Sequence, residues 1–123
     1  MTLFRAIVLE HFRHPRNRGT VESPNAEADG ANPLCGDRIR VQLRIEEGVV
    51  ADARFTADAC ALCIASASLL TEHVRGLRLS ELDAISVSTI STWLEGDPPA
   101  ARRKCALLPL DTLNRAVASR AIE

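Results

Sequence analysis

The clearest hydrophobic pattern lies at the centre of the chain. Ile39, Val41, Leu43 and Ile45 alternate with Arg38, Arg40, Gln42 and Arg44, which is the period-two signature of a strand with one face buried and one solvated. Glu46-Glu47-Gly48 supplies a hairpin turn, and Val49–Thr56 returns as a second strand with Ala51, Ala53 and Phe55 set against Asp52 and Arg54. Upstream, residues 20–37 are rich in Pro, Asn, Gly and Asp and read as loop, with a short edge strand near Glu27–Ala31. On either side the period turns helical. Residues 2–13 carry an apolar stripe of Leu3, Ile7, Val8 and Phe12, with Thr2 as N-cap and Pro15 and Gly19 closing the helix. His11 and His14, near its end, read as exposed complements to the helix dipole. Ala61–Arg75 is a second helix, with Leu62, Ala65 and Leu69 on its apolar side and Gly76 at its end. Its run Ala65-Ser66-Ala67-Ser68 is small enough for close approach to the sheet. Ser80-Glu81-Leu82-Asp83 resembles a capping box that opens a β-branched helical stretch to Leu94. Gly96-Asp97-Pro98-Pro99 breaks the chain. Residues 100–119 are again helical, with Pro109 either starting a new helix or kinking a continuous one. No internal repeat is present.

Length adds that residues 1–123 form one domain, large enough for a core without staples. Aromatics are only 3% (Phe4, Phe12, Phe55 and Trp93), so the core is aliphatic and base stacking is disfavoured as a binding mode. The net charge of −1, with no strong lysine or arginine block, gives little electrostatic support to nucleic-acid binding. No apolar run approaches the ~20 residues of a membrane span. Arg5 and Glu10 interrupt any signal-peptide core, so a cytoplasmic location is expected. In that compartment the four cysteines are ligands, nucleophiles or reduced core residues rather than disulfides.

Three of them stand outside the apolar stripes. Cys35 lies in the turn Asn32-Pro33-Leu34-Cys35-Gly36-Asp37, with the Asp37 carboxylate two residues on. Cys60 directly precedes a helix, where the dipole favours a thiolate. Cys105 follows Arg102, Arg103 and Lys104, cations expected to lower its pKa. Cys35, Asp37, Cys60 and Cys105 make a reasonable tetrahedral set for zinc or for iron in a cluster. Against it stands the ordinary role of cysteine as a small buried hydrophobe, and the spacings match no compact zinc-finger or ferredoxin pattern. Cys63 completes a Cys60-x-x-Cys63 pair, but no βαβ unit precedes it, so a thioredoxin-like reading fails and Cys63 is expected to pack inward.

Taken together, His11-Phe12-Arg13-His14-Pro15-Arg16-Asn17-Arg18-Gly19, the Asn32–Asp37 run, Cys60 followed by Ile64-Ala65-Ser66-Ala67-Ser68, and Lys104-Cys105 resemble the IscU/SufU family, the fold also found as the amino-terminal domain of NifU. The resemblance covers nearly the whole chain, in order. It implies an α+β fold of the SufE/NifU-like kind, a small antiparallel sheet of about three strands covered by helices. It implies an iron–sulfur cluster assembly scaffold, which accepts sulfur from a cysteine desulfurase and passes its cluster to apo-proteins. Cys35, Asp37, Cys60 and Cys105 match the family's metal positions, and Cys35 and Cys105 are the candidate persulfide acceptors. Lys104 is a candidate accessory, as is Cys63, which is extra to the family's pattern. The cargo is a [2Fe–2S] cluster, or [4Fe–4S] across a dimer, with Zn2+ as the alternative occupant.

Two departures bear on the branch. Lys104 replaces the histidine of the IscU branch, and Asp97–Arg103 lacks the Leu-Pro-Pro-Val-Lys motif, which puts an Hsp70-type chaperone partner in doubt. Lys104 instead looks like the SufU branch, yet the insertion typical of that branch is absent. A scaffold rather than an enzyme is therefore expected, with a zinc-bound sulfurtransferase that activates a desulfurase as one alternative and a structural zinc module as another.

Overall fold

The computed structural model describes residues 5–120. Thr2 and Leu3, expected at the start of the first helix, lie outside them. In chain order the elements are α1 (Ala6–Arg13), β1 (Ala26–Asn32), β2 (Asp37–Glu46), β3 (Val49–Asp58), α2 (Ala61–Val74), α3 (Leu79–Leu82), α4 (Val87–Trp93) and α5 (Arg103–Ala118), the last preceded by a single 3-10 turn at Ala100–Arg102. The strands form one antiparallel sheet in the order β1-β2-β3. This is the α+β architecture the resemblance implied.

Alternation along β2 sends Ile39, Val41, Leu43 and Ile45 to one face, where all four are buried. α5 packs over β1 and β2, α2 over β3, and α2 and α5 pack on each other. α1 lies against α2. The central helix α2 is buried almost all round, from Leu62 to Thr71. Its small residues meet helices as well as the sheet. Ser66 donates to the Ala106 carbonyl at 2.6 Å, and Ser68 lies 2.7 Å from His11 Nδ1. Gly30 of β1 is a point of close approach, because a Cβ there would collide with the Thr112 hydroxyl on α5 and crowd Leu108. The other face of the sheet carries Arg38, Arg40 and Arg44, and Arg40 grips Asp29 with two bonds of 2.7 and 3.1 Å.

Several expectations are corrected. The edge strand is a full seven residues, Ala26–Asn32, and pairs with β2 along its whole length. A register shift at Arg44/Ile45 leaves Ala51 unpaired, so Val50, not Ala51, joins Ala53 and Phe55 on the buried face. In α1 the inner face is Val8 and His11, while Phe12 is exposed. His11 is buried because α1 docks on α2 through it. Ser80 is not a cap: α3 starts at Leu79, and Glu81 accepts the Arg78 N–H at 3.0 Å. The stretch to Leu94 breaks after α3 and restarts at Ser86, whose hydroxyl accepts the Thr89 N–H while Thr89 accepts the Ser86 N–H at 3.0 Å. Of the two alternatives left open at Pro109, the structure takes the continuous helix, α5.

Candidate metal centre

Four chain segments converge at one end of the sheet. β1 and β2 form a hairpin whose strand ends pair at Asn32 and Asp37, leaving Pro33-Leu34-Cys35-Gly36 as its tip. The Cys35 N–H donates to the Asn32 carbonyl at 3.1 Å, closing a turn, and Gly36 follows at φ +73°, a left-handed position that suits glycine. The tip leaves Cys35 exposed, with Leu34 beside it 83% exposed. Asp37, the first residue of β2, points inward and is 2% exposed. Its Oδ1 accepts the backbone N–H of Cys60 at 2.8 Å, which ties the hairpin to the start of α2. Cys60 is the N-cap residue of α2 in extended conformation, half-buried, with Sγ 3.8 Å from Asp37 Oδ2. Cys105 sits in the first turn of α5, fully buried, with Sγ 3.4 Å from Cys35 Sγ.

Ligand atoms of Cys35, Asp37 and Cys105 thus lie within 4.8 Å of one another, and Cys60 joins them through Asp37. Two helix N-termini, of α2 and α5, face the cluster of donors with their positive ends. Three soft thiol donors and one hard carboxylate fit zinc or a cluster iron, and the exposed Cys35 leaves a way in.

The expectation that cations lower the Cys105 pKa is not met. Burial pushes the Cys105 thiol up first, and hydrogen bonding with Asp37, Cys35 and Cys60 pushes it further. Arg102, Arg103 and Lys104 are exposed, so their charge is spent on solvent. A metal ion would take the place of that proton. Cys63 packs inward, as expected. It is fully buried in the core, and burial, then Asp37 and Cys60, holds its thiol protonated. Lys104 lines a shallow depression of ≈ 330 Å³ beside the centre, with Asn32, Pro33 and Asp111.

Sequence reasoning gave Asn32 no role, and the structure supplies one. Its side chain is buried, and Nδ2 points at Cys105 Sγ from 3.8 Å. A buried amide aimed at a thiol 73 positions away leaves no local signal beyond being polar at the end of a strand.

Residues 3–121 match the family profile described as the NifU-like N-terminal domain. The chain belongs to this family. It is similar to the zinc-dependent sulfurtransferase SufU of Bacillus subtilis, at 31% identity over 134 residues covering 95% of this chain and 90% of that one. It is similar also to the iron–sulfur cluster assembly scaffold protein IscU of Escherichia coli, at 37% identity over 116 residues covering 90% of this chain and 88% of the other. Among solved structures, the N-terminal NifU-like protein of Brucella abortus superposes with a TM-score of 0.79 at 26% identity, covering 94% of this chain and 92% of that one. The family's members thus include both the scaffold and the sulfurtransferase branches that the sequence points to.

Proposed function

We propose that this protein is an iron–sulfur cluster assembly scaffold. It takes sulfur from a cysteine desulfurase, builds a labile cluster among Cys35, Asp37, Cys60 and Cys105, and hands it to apo-proteins in the cytoplasm. The observation that supports this most directly is the meeting of three thiols and one carboxylate at a single reachable end of the fold. On this reading one chain holds a [2Fe–2S] cluster, and two chains together hold [4Fe–4S].

The ligand chemistry suits a scaffold better than an electron carrier. A carboxylate is a harder, weaker ligand for sulfide-bridged iron than a thiolate, so one Asp37 oxygen among three sulfurs leaves the cluster releasable. Asp37→Ala is expected to give a longer-lived holo form and slower transfer to an acceptor, read as the decay of cluster absorbance on adding apo-ferredoxin. Faster loss would contradict the role given to Asp37.

A second reading is a zinc-bound sulfur acceptor that never builds a cluster. Lys104 in place of the histidine favours it. The alignment with SufU tells the other way. It spans 134 positions against a chain of 123, so that relative carries residues this chain lacks. Purification without oxygen, then reconstitution with desulfurase, cysteine and iron, separates the two. Cluster absorbance that an apo-protein can strip supports the scaffold. Zinc that iron cannot displace, with persulfide on a single cysteine, supports the sulfurtransferase.

A further inference from the structure

Cys35 and Cys105 come from different elements, yet their sulfurs stand 3.4 Å apart. That is a near-attack separation for two reacting atoms. Exposure divides the pair. Cys35 sits on the open hairpin tip, where a sulfur donor can reach it, whereas Cys105 is fully buried behind it. Cys60 is less open than Cys35, and its sulfur lies against the Asp37 carboxylate, which repels an incoming anionic sulfur.

We infer that Cys35 and Cys105 form an acceptor and resolver pair, which converts a delivered persulfide sulfur into free sulfide inside this site. The inference rests on the sulfur-acceptor role proposed above. A donor persulfide leaves one sulfane sulfur on Cys35. The terminal sulfur takes the Cys105 proton, and the thiolate so formed attacks the inner Cys35 sulfur. A Cys35–Cys105 bond forms as the bond from Cys35 to its terminal sulfur breaks. The terminal sulfur leaves with the electron pair of that bond and departs as hydrosulfide. Two electrons reduce the sulfane sulfur, and the two thiols supply them, so the step needs no outside oxidant or reductant. A dithiol reductant then returns the disulfide to two thiols.

The geometry suits the step. The two sulfurs need to close by about 1.4 Å to reach bonding distance, and Cys35 rides on a four-residue hairpin tip rather than in a strand. The leaving group also suits it, because hydrosulfide is a more acidic thiol than cysteine and departs faster.

The test uses the metal-free full chain, kept anaerobic, with a persulfide-loaded cysteine desulfurase freed of cysteine and of every small thiol. Intact mass is expected to show the gain of one sulfur atom, followed by a species lacking two hydrogens. Trapped hydrosulfide should match the disulfide formed, and peptide mapping should link Cys35 to Cys105. Cys105→Ser should keep the added sulfur on Cys35, with sulfide release down at least about tenfold. Cys63→Ser should behave as the unaltered chain. A persulfide that persists on Cys35 in the unaltered chain overturns the inference, as does a disulfide joining Cys60 to Cys63. Should Cys105→Ser not fold, the mass and peptide map of the unaltered chain decide alone. If no sulfur adds to any thiol, the acceptor role itself falls, and this inference with it.

Discussion

Asn32 and Asp37 pair across the ends of one hairpin, yet their side chains serve different thiols. Asp37 holds Cys60 through both its backbone N–H and its sulfur, while Asn32 offers an N–H to Cys105. Groups that hydrogen-bond a metal's ligands tune affinity by roughly 10- to 100-fold. Asn32→Ala is therefore expected to weaken binding of Co2+, used as a spectroscopic stand-in for Zn2+, by about tenfold. The thiolate-to-cobalt charge-transfer band should shift as well, and competition with a chelator reads the affinity. An unchanged band and affinity would reduce Asn32 to packing. Asp37 was legible in the sequence because it stands two residues from Cys35 in a turn. Asn32 was not, because its partner is remote in the chain and chemically unremarkable for an amide.

At the scale of elements, two helix contacts set the site's frame. α5 can lie close to β1 because residue 30 has no side chain. Gly30→Ala drives a methyl into Thr112 and Leu108, and overpacking of this kind costs about 1–3 kcal/mol. Chemical denaturation should show that loss, and the shift of α5 should loosen the Cys35–Cys105 contact. The other contact is α1 on α2. His11 is buried there, and its pKa is lowered, first by desolvation and then by Arg16 and His73, against the opposing pull of Glu72 and Glu10. The folded state therefore resists protonating His11 while the unfolded chain takes the proton near pH 6.5. Stability is highest above that pH and falls as pH drops through 6.5 towards the lowered folded value. His11→Gln, which keeps a polar atom for Ser68, should flatten that part of the stability profile between pH 7 and 5. Periodicity alone placed His11 on the solvent side, because a histidine next to Phe12 reads as the polar neighbour. Docking on α2 inverts the two.

For the whole molecule, the question is whether the donor cluster holds the fold together or the fold holds the donors. One continuous core runs from Val8 through the sheet to Ala116, built on aliphatic residues of every major element. Chelation is expected to leave far-UV circular dichroism intact and to reduce stability only by the linkage term, about 2.7 kcal/mol at a hundredfold excess over Kd, read as a fall in melting temperature. Unfolding on metal removal would instead mark a structural zinc module. No helix among the described residues is long and apolar enough to cross a membrane.

Local pattern was enough to place the strand pair at 38–56 and the helices at 61–75 and 100–119, and to single out the four side chains that the fold brings together. Period and turn chemistry are local, and a helix-start or turn cysteine announces itself within a few residues. Long-range packing settled which face of α1 is inner, where the β3 bulge falls, and that the Cys105 thiol holds its proton more tightly. Each of these depends on what packs against the segment from far along the chain, and burial by such neighbours outweighed the adjacent cations whose effect the sequence made visible.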